Sequence, residues 1–379
     1  MRIKILAVSR FGIEKITAEE LQRLGYENIR VRDGEVSVDG SFKDVARMNV
    51  FLRTAERVMI VLKEFRAVTF EELFTGVRNI DWGEILPTDA FIHVTAKSIR
   101  SALFSIRDIQ SVSKKAIVET LLKKTGKHRL EESGTRYRIE VGIYKDSVSV
   151  MLDTSGEGLH KRGYRVLTSE APLSETLGAA IVLLSYWNKD RMLLDPFCGI
   201  GTIPIEAALI GINRAPGIKR AFRAEQYGHF FETGVFKTAR EEAEGRIDNT
   251  TELSITGSDI DEDALKKAAY HAELADVGGK IRFQVKDVKR LAPEGKYGII
   301  SANPPYGERM MESRELIQLY RDMKKSFDRF ETWSKYILSA YKGFEDIYGG
   351  KADKRRKIYN GMIECQLYQY YGPRPPTDL

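Results

Sequence analysis

Cysteine is almost absent from this chain: 379 residues carry two, Cys198 and Cys365, far apart and without metal-ligand spacing. That excludes a disulfide framework and leaves a zinc site unsupported. None of the 5 histidines sits at a catalytic spacing. Long apolar runs are missing as well; no stretch approaches the ~20 continuous apolar residues of a membrane span. The start, Met1-Arg2-Ile3-Lys4-Ile5, reads as a strand rather than a signal peptide. Internal repeats and low-complexity tracts are lacking. The expectation is a soluble, cytoplasmic, monomeric protein with no metal and no membrane partner. Its length suits two or three domains with separate cores.

Charge is present but uneven. The formal net charge is +6. Residues 1–170 hold 29 basic and 24 acidic side chains (+5), residues 171–308 hold 17 and 20 (−3), and residues 309–379 hold 14 and 10 (+4). Within the first part, 94–138 has 11 basic against 4 acidic residues. Such an excess points to a phosphate-facing surface; its bland counterpart is a solvated helix face.

Hydrophobic periodicity divides the chain. Over 1–64 it predicts strands at Ile3–Ser9, Glu35–Asp39 and Arg57–Glu64, with helices at Ile13–Leu24 and Phe42–Phe51. Over 65–153 it predicts a strand at Ala90–Lys97, a helix at Ser105–Lys124, and a hairpin of Arg136–Tyr144 and Ser147–Leu152. Arg107, Lys114, Lys115, Lys123 and Lys124 fall mostly off the apolar stripe of that helix. A glycine-rich joint, 154–170, follows. From 171 to 379 helices and strands alternate as in a doubly wound α/β sheet.

Four strand ends in that last region carry candidate chemistry. Met192-Leu193-Leu194 runs into Asp195-Pro196-Phe197-Cys198-Gly199-Ile200-Gly201-Thr202 and then a helix. Glycines there let backbone approach a ligand and offer free N–H groups at the helix start. The spacing is not Gly-x-Gly-x-x-Gly, and Asp195 suits an ammonium group better than a pyrophosphate, which favours an amino-acid-bearing cofactor. Asp259, at the tip of Leu253–Ser258, can accept from a ribose diol. Asp287, after Ile281–Val285, can accept from an adenine amino group while the Val288 N–H donates to the ring. Singly, each acid could be a helix cap. After Tyr297–Ala302 comes Asn303-Pro304-Pro305-Tyr306. The Asn303 amide oxygen and the Pro304 carbonyl can accept from one amino group, and the Tyr306 ring can stack on the base carrying it. Cys198, inside the glycine turn, reads as a buried filler rather than a nucleophile, and His160 as linker surface.

This constellation resembles a class I S-adenosylmethionine-dependent amino methyltransferase. Asp195 to Thr202 matches the first motif, Asn303 to Tyr306 the catalytic motif, and Ala171 to Leu177, with Ser174, the substrate-entry helix. The front half resembles a ferredoxin-like unit (1–64) followed by a THUMP domain (65–153), an RNA-binding module. The whole chain is similar to archaeal THUMP-containing tRNA guanine-N2 methyltransferases, of the type acting on guanosine 6 of the acceptor stem. The resemblance implies a Rossmann-like catalytic domain (171–379), S-adenosylmethionine as cofactor and tRNA as partner. It makes Asn303, Pro304 and Tyr306 catalytic. Ser174, Asp195, Phe197, Gly199, Gly201, Thr202, Asp259, Asp287, Val288 and Asn303 become cofactor contacts. Arg100, Lys114, Lys115, Lys123, Lys124, Lys127 and Arg129 are expected to hold the tRNA 3′ end. The excursion from Asn213 to Thr251, with Arg214-Ala215-Pro216-Gly217, Arg220 and Arg223, resembles a segment of ribosomal and tRNA guanine-N2 enzymes and is expected to wall the target pocket. Alternatives are ribosomal RNA or tRNA position 10 as target, DNA adenine-N6 methylation, and a non-catalytic RNA-binding protein.

Overall fold

The structure, a computed structural model, describes residues 2–126, 128–167, 173–228, 230–306 and 313–376. Lys127, Ala171 and Pro172 lie outside the described residues. Strand and helix order is β1 (Ile3–Ser9), α1 (Glu14–Arg23), β2 (Arg30–Arg32), β3 (Glu35–Gly40), α2 (Phe42–Phe51), β4 (Ala55–Arg66), α3 (Phe70–Arg78), α4 (Trp82–Ile85), β5 (Phe91–Ile99), α5 (Ile106–Thr125), β6 (Arg136–Tyr144) and β7 (Ser147–Asp153). The strands of 1–64 and of 65–153 join in one seven-stranded sheet, ordered β2-β3-β1-β4-β7-β6-β5. The reason is β4: residues 55–61 pair with β1 on one side and residues 59–66 with β7 on the other, the second ladder shifting register between Val61 and Lys63. Period-2 alternation sends Ile5, Ala7, Val58, Ile60, Ile139 and Val141 into the core under α2, α3 and α5. The opposite face carries a small cluster, Leu6, Met59 and Met151. Local chemistry sets the helix ends. The Thr69 hydroxyl accepts from the Glu72 N–H at 3.2 Å while Glu72 accepts the Thr69 N–H at 3.1 Å, a reciprocal cap for α3. Gly126 closes α5 at φ +68°.

The second half comprises α6 (Glu175–Leu184), β8 (Leu193–Asp195), α7 (Thr202–Gly211), α8 (Val235–Glu244), β9 (Ile255–Asp259), α9 (Glu262–Leu274), β10 (Ile281–Val285), β11 (Ile299–Ala302), α10 (Ser313–Asp328), β12 (Ser334–Ser339), α11 (Phe344–Tyr348), β13 (Lys354–Asn360) and β14 (Ile363–Tyr370). Its sheet is ordered β10-β9-β8-β11-β12-β14-β13 and is parallel except at β14. Neighbouring strand residues feed opposite layers. Leu193 and Ile299 pack with Leu177, Ile205 and Ala272 of α6, α7 and α9. Leu194 and Ile300 pack with Tyr320, Phe327 and Phe344 of α10 and α11. Chain order reverses between β8 and β11, where such sheets open a crevice beyond the strand ends.

The 213–251 excursion departs from the expectation. It does not line the catalytic strand ends but packs into the front core. Tyr227 stacks on Tyr137 with ring centroids 4.2 Å apart and donates its hydroxyl to the Asp153 carbonyl at 3.0 Å. Phe230 and Phe231 flank Phe42, and Arg47 of α2 binds Glu242 of α8 through two bonds of 2.8 Å. Aromatic residues within a charged stretch are the cause: they need a core, and the front sheet offers the nearest one.

A second seam departs from the expectation for His160. Its Nδ1 lies 3.1 Å from Glu56 Oε2, so it is not free linker surface. Glu56 also accepts from Arg10 Nε and Thr176 Oγ1, each at 2.6 Å. Burial alone would raise the Glu56 carboxyl, but bonds from His160, Arg10 and Thr176 bring it down to about 2. One carboxylate thus ties β1, the linker and α6 together.

Candidate functional site

Register places four strand ends at one edge. Leu194 is level with Ile300, Asp195 with Gly257, and Val285 with Asp259. Asp195, Asp259, Asp287 and Asn303 therefore meet around one crevice, with Gly199 and Gly201 at the start of α7. Asp195 is 1% exposed. Its carboxyl is held well above the usual range by burial, with the neighbouring Asp259 charge adding to the effect, while the Phe197 N–H at 3.1 Å opposes it. A cation at this point would relieve both terms. Asp259 accepts the Gly199 N–H at 2.9 Å and the Asp261 N–H at 3.1 Å, which pins the glycine turn to the second strand. Asp261, not Asp259, caps α9, accepting from Asp263 and Ala264. Asp287, two residues past β10, caps a short 3-10 turn by accepting the Lys289 N–H at 2.8 Å.

The turn itself is shaped by glycine. Gly201 has φ +87°, and a Cβ there would lie 3.0 Å from Ala268 Cβ, so only glycine lets α7 start so close to α9. Above Gly199 there is open space, as a ligand lying on the turn requires. Cys198 is buried beneath, its Sγ facing Gly257, and burial pushes its thiol well up. It is the inert filler that the sequence indicates. Ser174 is the N-cap of α6 with its hydroxyl 3.3 Å from Thr176 Oγ1; Phe197 is half-buried and Thr202 is the first residue of α7. Val288 is buried, its carbonyl accepting from Ser326 Oγ at 2.5 Å.

Asn303 Oδ1 is buried and accepts no hydrogen bond. A buried, unpartnered acceptor is costly to keep, about 1–3 kcal/mol, and marks a place where a donor belongs. Around it the polypeptide is well braced. Tyr320 donates to the Pro305 carbonyl at 3.1 Å, and Asn360 Nδ2 donates to Tyr306 Oη at 3.0 Å. Asn360 ends β13, in a hairpin to which sequence reading assigned no role. Its signal existed only as an Asn-Gly turn, Asn360-Gly361, since nothing in the chain order tells that this turn meets Tyr306. Burial raises the Tyr306 hydroxyl far above its usual value, so it stays protonated. A cavity of about 350 Å³ along β8, β9 and β10 on the α10 side is lined by none of the four crevice residues.

The basic residues expected to hold RNA differ in how far they are paired. Lys114 pairs with Glu132 at 2.8 Å beside the Phe91 ring, whereas Lys115 lies over Phe74. Lys124 is bound to Glu84 at 2.7 Å. Lys123, Arg100 and Arg129 are exposed. The α5 surface is therefore a partly neutralised helix flank.

With this geometry in place, residues 162–369 match the model for the RMKL-like methyltransferase domain. The chain belongs to the RMKL-like methyltransferase family. Residues 4–59 of this family member match the RlmL ferredoxin-like domain and residues 67–153 the THUMP domain. YpsC of Bacillus subtilis (strain 168), provisionally named an RNA methyltransferase, is 42% identical over 374 residues, 98% of this chain and 97% of that one. A structure from Listeria monocytogenes described as a predicted N6-adenine-specific DNA methylase is 44% identical with a TM-score of 0.92, covering 98% of this chain and 97% of that one. SMU.472, provisionally named a methyltransferase and solved with S-adenosylhomocysteine, is 38% identical with a TM-score of 0.91, covering 99% of each chain. Two of these relatives are named as bacterial, whereas the sequence resemblance ran to archaeal enzymes. A THUMP module joined to this catalytic domain makes the protein an RNA methyltransferase, and its cofactor is S-adenosylmethionine. The crevice fits that cofactor on its own evidence: a buried carboxylate with no cation partner among the described residues, a glycine turn under open space, and a buried amide oxygen without a donor.

Proposed function

We propose that this protein methylates the exocyclic N2 of a guanosine in tRNA, guanosine 6 of the acceptor stem, with the target base turned out of the helix. The observation carrying this reading is the buried Asn303 Oδ1 without a donor. Bound S-adenosylmethionine supplies an electrophilic methyl group. The chain supplies the rest. Asp195 holds the cofactor ammonium and Asp259 the ribose diol, Asp287 and the Val288 N–H read the adenine, and Ser174, Phe197, Gly199, Gly201 and Thr202 line the cradle. Guanine N2 is a weak nucleophile because its lone pair is shared with the ring. Asn303 Oδ1 and the Pro304 carbonyl accept its two hydrogens and stabilise the positive charge that grows as the nitrogen becomes tetrahedral. The Tyr306 ring, anchored through its hydroxyl by Asn360, is the stacking surface, worth ~1–3 kcal/mol per base. No strong base is needed, because the cationic product loses its proton readily. Turning the base out costs a few kcal/mol, offset by contacts of the front sheet and the α5 lysines to the RNA backbone.

The domain bounds that go with this reading are 1–64, 65–153, the linker 154–170 and 171–379. Ribosomal RNA guanine-N2 enzymes share the front modules and the pocket chemistry, so the same reaction on ribosomal RNA is the second reading. Labelled S-adenosylmethionine, offered with unmodified tRNA, ribosomal RNA and DNA, tests both. The expected result is N2-methylguanosine at tRNA position 6, reduced ~10²–10³-fold in Asn303→Ala. Label in ribosomal RNA would select the second reading, and label on DNA adenine would overturn both.

A further inference from the structure

We propose that a cleft on the open face of the front sheet, where β5 and β6 meet the linker and Arg223, binds a phosphodiester of the substrate RNA. The inference rests on the RNA reading above. The cleft encloses about 310 Å³ and is lined by His93, Arg136, Arg138, Gly156, Glu157 and Arg223. His93 and Arg138 are level in the parallel register of β5 and β6, and Arg136 lies two residues away on the same face. Arg223 comes from the excursion, whose backbone is bound to the chain just after β7: Arg223 N–H to the Ser155 carbonyl at 3.3 Å and Ala224 N–H to the Thr154 carbonyl at 3.0 Å. Gly156, at φ +81°, permits this approach, because a Cβ there would meet Arg223 Cβ at 3.0 Å. Two remote segments thus deliver guanidinium groups to one hollow, with the His93 imidazole beside them.

Among the described residues two of those cations, Arg136 and Arg223, form no ion pair, and Arg138 only long ones. The Asp153 carboxylate is engaged by Arg57, Arg138 reaches it at 3.6 Å, and Glu140 lies 3.8 Å from Arg138. Glu157 is paired with Lys161 at 3.0 Å. Arg223 bonds the neutral amide of Gln226 at 2.8 Å. Arg136 lies over the Phe91 ring at 5.9 Å. Arg138 Nε and His93 Nδ1 are both buried with no hydrogen-bond partner. Burial, then the fields of Arg136, Arg138 and Lys114, disfavour a proton on His93, which reports the same excess of positive charge. Desolvated donors beside unpaired guanidinium groups are satisfied together by an oxyanion carrying several acceptors. A phosphodiester has that chemistry, and forked arginines are its usual partner. Free inorganic phosphate shares it, and the experiment separates the two sources.

The test uses the full chain with Arg136→Gln and Arg223→Gln combined, titrated with tRNA and ribosomal RNA transcripts across a salt series. S-adenosylhomocysteine binding by calorimetry checks folding of each variant. We expect ~10-fold weaker RNA binding and a salt slope smaller by about 1–2, since each phosphate contact contributes ~0.7–0.9. Unchanged affinity and slope, with wild-type RNA binding intact, would overturn the cleft. Wild type binding neither transcript would instead overturn the RNA reading. Inorganic phosphate that binds wild type while the double variant keeps full RNA affinity would make the cleft a small-anion site and also overturn the proposal. Should the double variant lose S-adenosylhomocysteine binding, Arg136→Gln alone decides, with a slope change of about 1.

Discussion

In the rear sheet, helices cover both faces, and the candidate chemistry lies at the strand ends, in Asp195, Asp259, Asp287 and Asn303. In the front sheet, α2, α3 and α5 cover one face, while the other presents Arg57, Arg138, His93 and the Leu6, Met59 and Met151 cluster. Both sheets have seven strands. Each leaves polar groups unpartnered, among them Asn303 Oδ1 just past a strand end in the rear sheet and Arg138 Nε with His93 Nδ1 on a strand face in the front sheet. Parallel topology concentrates chemistry at a point, whereas a one-sided antiparallel-rich sheet offers an area. A small cofactor and one base suit the first; a long polyanion suits the second.

Substitutions can break this division. Beyond Asn303→Ala, the largest effect is expected at Asp195→Ala, which should weaken S-adenosylmethionine binding roughly 10–100-fold by removing a charge-assisted contact. RNA affinity should stay unchanged, as filter binding would reveal; a parallel loss of both would mean that the sheets do not act separately. The seam comes next. Glu56→Gln should destabilise the protein by about 3 kcal/mol, because it strips three partners of their carboxylate. The pH dependence follows from the same group. Its folded carboxyl sits at about 2 against an ordinary 4.5, so its stabilisation is complete above the ordinary value and is lost as pH falls from about 4.5 towards 2. Urea midpoints should therefore fall more steeply across that window in wild type than in the variant. Equal slopes would remove Glu56 from the account. A smaller effect is expected of Asn360→Ala. It should lower kcat ~2–10-fold through a loosened Tyr306, with cofactor affinity preserved; an unchanged kcat would show that the hairpin merely packs there.

Much of this molecule is legible in its residues. Alternation over Ile3–Ser9 and Arg136–Tyr144, the Asp195 to Thr202 turn, and Asn303-Pro304-Pro305-Tyr306 are local statements, because period, glycine conformation and strand-end acids are properties of neighbouring residues. Cys198 as a filler belongs with them. Two features are not local. That β4 joins two units into one sheet depends on a partner about 90 residues away, β7. That 213–251 packs in the front core, and not over the target pocket, depends on which apolar surface lies within reach of Tyr227, Phe230 and Phe231.

Charge shows the contrast most clearly. Sequence alone located an excess of cations in 94–138, but only tertiary structure decided which of them stay unpaired. Along α5, Lys114 and Lys124 find Glu132 and Glu84. On the sheet face, Arg136 forms no ion pair among the described residues and shares a hollow with His93, Arg138 and Arg223. The sequence thus determined the residue types, the periodicities and the cofactor turn. The fold determined which side chains keep their unspent valence, because ion pairing and burial depend on distances across space that chain order does not encode.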